Sequence, residues 1–313
     1  MLLAGLLLVL WGCVSPSSSN VQIRHAATTA RSGPEQEGQT ALRVLTYNIW
    51  GLPAWINGAN PSRYARIARE LEARAPEFIL LQEVWSERAG EAVPAEAGWS
   101  VASSPARNLF LRRSGLVTLS RQPIVDAEFH AFRAGTWPDS LVGKGALRIT
   151  VELAGSLRLN VWNVHLQAGD ARGIRSRQIA ELTAWVRQAE QGQGADIIAG
   201  DFNCTPNSEE YRQLTRLLGA DAHPPESQPH FVTYDGCRSD AADARTLDYV
   251  FLRLRQSHVS CTASVAPAMD ADRPEDRLSD HLAVEADLRL EIAPLTAHSQ
   301  RSDIGVARRM GRF

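Results

Sequence analysis

Short runs of large and β-branched residues recur along this chain, and each begins or ends at a polar phrase that an ordinary apolar run lacks. Leu42–Ile49 encloses Thr46-Tyr47-Asn48, and Phe78–Leu81 runs into Gln82-Glu83. Leu157–Val164 leads to His165, and Asp196–Ala199 leads to Gly200-Asp201-Phe202-Asn203. Leu247–Leu252 carries Asp248 and Tyr249 at its start, and Leu282–Leu288 follows Leu278-Ser279-Asp280-His281. Runs of this length and composition predict strands. Leu116–Leu119 and Leu147–Val151 read the same way.

Helical spacing interrupts the strands. Asn60 before Pro61 predicts a helix start. Tyr64, Ile67, Ala68 and Leu71 then share one apolar face, and Pro76 ends it. Arg172–Ala189 and Glu209–Leu218 predict two further helices. Strands mixed with helices and hairpins, with polar residues gathered at strand ends, indicate a layered α/β fold whose site lies at the sheet rims.

At 313 residues, 44% hydrophobic and 22% charged, the chain has material for one large core, and no internal repeat divides it. The formal net charge of −2 carries no global nucleic-acid signal, although a bound cation can neutralise a phosphate locally. The organisation expected is a signal segment over 1–13, a solvated tether over 14–40, a catalytic domain over 41–291 and a basic, disordered tail over 292–313. The apolar run Leu2–Trp11 suits an export signal and is too short to span a bilayer. Leu10-Trp11-Gly12-Cys13 resembles a lipoprotein cleavage box with Cys13 acylated; a plain signal peptide is the alternative. The expected location is the cell envelope or the exterior. In an oxidising compartment Cys204 and Cys237 could bridge, with Cys261 odd unless it is itself a partner.

Carboxylates, amides and histidines at several strand ends suggest a Mg²⁺-assisted phosphoester site, with Mn²⁺ or Co²⁺ as substitutes. Such a site must neutralise phosphoryl oxygens, aim a water and stabilise the departing oxygen. Glu83 is the best single Mg²⁺ ligand, because a hard cation prefers carboxylate oxygen. Asn48 can offer its carbonyl to the metal or its NH₂ to phosphate. His281 is the candidate general base, its near-neutral titration suiting proton removal from water. Asp201 and Asn203 would share a face on an extended segment, placing Asp201 toward the nucleophile and Asn203 toward phosphate. His165, as imidazolium, would stabilise phosphoryl charge or protonate the leaving oxygen. His25, His130, His223, His230, His258 and His298 default to surface or loop roles.

Thr46-Tyr47-Asn48, Leu81-Gln82-Glu83, Asn163-Val164-His165, Gly200–Asn203, Leu247-Asp248-Tyr249 and Leu278–His281 occur in the order of the endonuclease/exonuclease/phosphatase superfamily, which the chain resembles from about Ala41 to Leu290. The resemblance implies a four-layer sandwich of two mixed β-sheets flanked by helices. Within the family, YNIWGLP, LQEVW, GLVTLSRQPI, NVHLQA and LSDH look most like neutral sphingomyelinases. By that likeness Asp248 orients His281, Asp280 supports the metal or the second histidine, and Asp201 is either the nucleophile's partner or the acid. Asp139 and Lys144 resemble the Asp and Lys of a flexible loop near the site.

Trp50, Leu52, Pro53, Trp55 and Ile56 predict a loop at a mouth suited to acyl chains. The expected partner is a phospholipid at a membrane surface, nucleic acid being second and no obligate protein partner being implied. The alternatives are an exported endonuclease, an inositol-phosphate phosphatase and, more distantly, a non-catalytic binding lipoprotein.

Overall fold

The structure is a computed structural model, described over residues 21–26, 39–57, 60–95, 98–105, 114–137, 139, 143–153, 157–189, 194–218, 231–235, 244–255, 259–269 and 277–292. Strands and helices are numbered in chain order. A seven-stranded sheet runs β1 (Gln22–Arg24), β4 (Ser100–Ser103), β5 (Val117–Ser120), β3 (Phe78–Gln82), β2 (Gln39–Asn48), β12 (Ala283–Ile292) and β11 (Val259–Ala268). A five-stranded sheet runs β10 (Asp248–Leu254), β9 (Gly194–Asp201), β8 (Leu157–His165), β7 (Gly145–Leu153) and β6 (Ile124–Ala131).

Alternation along the strands builds the layers. On β2, Leu42 and Val44 face the second sheet while Leu45 and Tyr47 face outward. On β8, Leu157, Leu159 and Val161 face inward while Trp162 and Val164 face outward. Both faces are apolar, so each sheet is covered on both sides. Helix α2 (Arg63–Arg74) buries Tyr64, Ile67 and Leu71 on the outside of the first sheet. Helices α3 (Arg172–Gln188) and α4 (Glu209–Leu218) bury Ile179, Leu182, Trp185 and Leu214 on the outside of the second. The result is the expected four-layer sandwich.

β2 pairs parallel with β3 through α2, and β8 pairs parallel with β9 through α3. A parallel pair brings two C-terminal ends to the same rim. Asn48 and Gln82 therefore stand side by side on one sheet, as do His165 and Asp201 on the other. Asp248, at the start of antiparallel β10, lies opposite Asp201.

Four expectations change. Asn60 does not cap α2 directly: its carboxamide oxygen accepts from Ser62 N at 3.0 Å, and the helix starts at Arg63 after that turn. The segment after Asn48 contains a single helical turn, α1 (Ala54–Asn57). Gln22–Arg24, inside the expected tether, is a strand on the sheet edge. Cys204 is a buried free thiol, pushed up to about 12 by burial, so the bridge to Cys237 is not seen; Cys237 lies outside the described residues, as do Cys13, the signal segment and residues 293–313. β4, β6 and β11 were not legible because two are short or polar-alternating and β11, at the sheet edge, carries Ser, Thr and Pro267 in place of a continuous apolar run. Among the described residues no helix is long and apolar enough to cross a membrane.

Candidate active site

Tight backbone turns deliver the polar groups to the rim. Glu83, one residue beyond β3, has φ 64°, a left-handed conformation uncommon outside glycine. Gly51 lies against it so closely that a Cβ there would overlap the Glu83 carbonyl. Gly200 has φ 146°, and a Cβ there would overlap the Val164 carbonyl of β8. Only glycine permits these two approaches. They set Glu83 and Asp201 at their depths.

Six segments converge. Asn48 Nδ2 donates to Glu83 Oε1 at 3.1 Å and to Asp201 Oδ2 at 3.0 Å, and lies 3.5 Å from His281 Nε2. His281 Nδ1 is 2.8 Å from Asp248 Oδ2, and its Nε2 is 3.8 Å from Asp201 Oδ2. His165 Nε2 is 3.4 Å from Asp201 Oδ2, 4.0 Å from Glu83 Oε1 and 2.5 Å from Lys144 Nζ. Asp280 is next to His281 and accepts from Ser279 Oγ at 3.3 Å.

The Asn48 and Asn203 amides are both held by backbone neighbours, and the second departs from expectation. The oxygen of Asn48 accepts Trp50 N–H at 3.0 Å, which fixes the amide with its NH₂ toward the site. Asn48 thus faces the site as a donor, one of the two roles expected of it, and its oxygen keeps a second lone pair. Asn203 does not share an extended face with Asp201: its φ is 51°, its N–H donates to Asp201 Oδ1 and its side chain donates to the Leu166 carbonyl at 3.1 Å. It braces Asp201.

Burial and charge set the protonation states. Burial raises Glu83, against the pull of Lys144. Burial also pushes Asp280 up to about 7, with Glu83 and Asp201 adding to the rise. Burial opposes the charged form of His281, but the Asp248 carboxylate, with Asp201 and Asp280, overcomes it and carries the ring to about 10. Asp201 is held below the usual carboxylate range: burial opposes this, and His165, His281 and Lys144 outweigh it. His165 is lowered by burial and by Lys144. Both effects oppose the imidazolium expected at His165, while the Asp201 carboxylate favours it.

Asp139 and Lys144 meet at 3.5 Å. Asp139 Oδ2 also accepts Gln167 Nε2 at 3.0 Å and Ala168 N at 2.7 Å, pinning the β6–β7 link to the segment after His165. Lys144 is 5% exposed and reaches the site centre.

Sequence reading missed the groups that hold this arrangement. The buried Arg63 guanidinium donates to the carbonyls of Ile49, Trp50 and Leu278, joining the segments that carry Asn48 and His281. Ser279 Oγ adds a bond to Asn48 O at 2.7 Å. Thr233 Oγ1 accepts the N–H groups of Leu247 and Asp248. Between the sheets, Asn163 accepts from Gln82 Nε2 at 2.8 Å and donates to the carbonyls of Leu81 and Val117. The even spacing of Asn163 and His165 is the one sequence signal that pointed inward; Arg63 resembled any surface arginine.

The residues suit a divalent cation. Glu83 Oε2 is buried with no hydrogen-bond partner among the described residues, a costly state for a carboxylate oxygen unless a cation takes it. Asp201, Asp248 and His281 also offer ligand atoms within 4.8 Å of one another; Asp248 Oδ2 is committed to His281, while its Oδ1 is likewise buried with no partner among the described residues. Glu83, which orients no histidine, is the primary candidate ligand, with Asp201 nearby.

Residues 45–281 match the Endonuclease/Exonuclease/phosphatase family. The chain is 26% identical to the inositol phosphosphingolipids phospholipase C of Schizosaccharomyces pombe, covering 83% of this chain and 71% of that protein. It is 24% identical to sphingomyelin phosphodiesterase 2 of Mus musculus, covering 81% and 66%. The chain thus spans about two thirds of the length of such curated relatives. Among solved structures, beta toxin of Staphylococcus aureus with bound magnesium ions superposes with TM-score 0.64 at 17% identity over 82% of this chain and all of that one. Humanised TDP2 of Danio rerio gives 0.64 at 19% over 79% and 98%. At these identities the superpositions show the fold.

Proposed function

The chain belongs to the Endonuclease/Exonuclease/phosphatase family, and from that premise we propose that it is a Mg²⁺-dependent phosphodiesterase acting on a phospholipid at a membrane surface, cleaving sphingomyelin to ceramide and phosphocholine. One observation carries the reading: Asn48, Glu83, His165, Asp201, Asp248 and His281, far apart in sequence, meet within hydrogen-bonding or ion-pair distance. The names of the sphingolipid-cleaving relatives support the substrate class.

Glu83, Asp201, Asp248 and Asp280 crowd a centre with Lys144 as its fixed cation. A phosphodiester anion would be repelled from such a centre. Glu83, with Asp201 near it, would hold a divalent cation, which would supply Lewis-acid polarisation of the phosphoryl group and offset the carboxylates. Mn²⁺ or Co²⁺ can stand in its place.

Asp248 keeps the proton on His281 Nδ1, so that Nε2 receives the proton of the attacking water. Asn48, with Asp201, flanks the Nε2 side and orients that water. Lys144 Nζ, 2.5 Å from His165 Nε2, would meet the phosphoryl oxygens, with His165 serving the leaving oxygen. The O–P bond to water forms as the P–O bond to ceramide breaks; the water's proton goes to His281 Nε2, and the departing oxygen takes up a proton from the Lys144–His165 pair. Direct displacement inverts phosphorus and leaves no covalent enzyme intermediate.

The test is purified protein with Mg²⁺, then with chelator, on sphingomyelin micelles, plasmid DNA and an inositol polyphosphate. Cation-dependent release of phosphocholine is expected. Cleavage of DNA with no lipid turnover would overturn the reading in favour of a nuclease.

A further inference from the structure

We propose that a recess on the outer face of the five-stranded sheet, at the end away from the catalytic rim, is a second ligand site that takes the phosphate group of a small soluble molecule. Its residues are separate from the catalytic centre, so its test can fail without touching the lipid reading.

Strand register builds the floor. Asp126 of β6 lies opposite Thr150 of β7, Thr150 opposite Asn160 of β8, Asn160 opposite Asp196 of β9, and Asp196 opposite Arg253 of β10. One polar residue from each strand thus forms a continuous row. Two residues nearer the rim the next row carries Trp162, Ile198 and Phe251, packed with α3. The end of α3 supplies Trp185, Gln188 and Ala189 to one wall of the recess, which has a volume of about 390 Å³. Asn160 and Asp196 each precede the last residue of their strand, His165 and Asp201, by five positions, so the floor lies roughly 17 Å from the catalytic rim.

Charge favours an anion. Arg148, Arg158 and Arg255 line the recess against two carboxylates, Asp126 and Glu128. Both carboxylates are engaged by Arg148, whose Nη2 donates to Asp126 Oδ2 at 2.6 Å and to Glu128 Oε2 at 3.1 Å. Arg255 has no such match. Its side chain is 6% exposed, and its Nε and Nη1 have no hydrogen-bond partner among the described residues. The carboxylate beside it, Asp196, lies 3.4 Å from Arg255 Nε and 3.6 Å from Arg253 Nη1, so two guanidinium groups share one Oδ2. The other oxygen of Asp196 accepts from Asn160 Nδ2 and Trp162 Nε1. Arg148 Nε is also buried without a partner among the described residues. Arg158 lies at the surface, 4.0 Å from the exposed Glu152.

A buried guanidinium with unused donors is a destabilising arrangement unless an acceptor arrives. Phosphate oxygens match the planar fork of arginine, which binds them by two parallel hydrogen bonds. The recess is larger than a bare phosphate needs and falls within the usual range for small-molecule sites. Thr150, Asn160 and Gln188 offer hydroxyl and amide groups to the rest of the ligand. A lipid headgroup is the other source of a phosphate, but this recess is turned away from any membrane that the catalytic rim engages.

The test is calorimetric titration of the full chain with inorganic phosphate in the presence of chelator. Binding is expected, weakened at least about tenfold in the double variant Arg158→Ala/Arg255→Gln, while kcat/KM on bis(p-nitrophenyl) phosphate with Mg²⁺ stays within about twofold of wild type. Arg158→Ala alone, at a surface position, is expected to weaken binding about threefold with an unaltered Tm, which keeps the test valid if the double variant does not fold. Absence of binding to the wild type, or unchanged affinity in Arg158→Ala, would overturn the site. Binding lost in Lys144→Met and kept in Arg158→Ala would assign the phosphate to the catalytic centre and overturn it equally. Cosedimentation with phosphatidate vesicles that needs Arg158, without binding of free phosphate, would overturn the soluble ligand in favour of a lipid.

Discussion

Glu83 joins a left-handed backbone, burial and an oxygen without a partner in one residue. A carboxylate in that state has a function to perform or would be selected away. Glu83→Gln keeps the volume and removes the charge; turnover is expected to fall by at least about 10²-fold, together with loss of the Mg²⁺-induced rise in Tm. Near-normal rates in that variant would remove the ligand assignment. For His281→Ala the expected loss in kcat is about 10²–10⁴-fold, the usual contribution of a general base, and a change under tenfold would argue for another base. His281 also has a pH signature. Without cation it stays protonated to about 10 because carboxylates surround it; Mg²⁺ should shift its titration downward, as imidazole NMR signals can report. Glu83 and His281 were legible in the sequence because both follow or precede apolar runs. The downward shift of His165 was not, since it arises from burial and from Lys144, twenty-one residues away.

Strands and helices act here as carriers of rim groups, so stability and activity are coupled at their ends. Arg63 opens α2 yet bonds to carbonyls on both sides of the site. Arg63→Met removes these donors and leaves buried carbonyls unpaired, costing on the order of 3 kcal/mol; urea denaturation measures the loss, and kcat should fall as well because the Asn48 and His281 segments lose their link. A stability loss with an unaltered kcat would restrict Arg63 to a scaffold role. Gly51→Ala should lower activity by displacing Glu83, since the added methyl has no space against its carbonyl. Most long strands were readable from apolar runs, and α2 from its i, i+3, i+4, i+7 face. The edge strands β1 and β11 were not, because their place comes from pairing with β4 and β12 and their residues carry little burial signal.

The whole molecule gathers like charges at one rim, and its stability should depend on pH accordingly. Asp280 has a folded value near 7 against an ordinary value near 4. Its contribution is full at pH below about 4 and is lost as pH rises toward 7, because the fold disfavours the charged form. Glu83 shifts in the same direction. A cation that accepts these charges offsets the loss, so Mg²⁺ should raise Tm more at pH 8 than at pH 5; equal shifts would mean that it binds elsewhere. From the sequence alone come the alternation that builds two covered sheets, the helices between them and the polar phrases at strand ends, because period and composition are local properties of a chain. Tertiary structure alone decides that six phrases share one centre, that Asn48 turns its NH₂ inward, that burial and Lys144 lower His165 and that β1 joins the sheet with Gln22 toward the catalytic rim. These depend on strand register and on the desolvation of one charge by distant neighbours, and neither is encoded within any single stretch of residues.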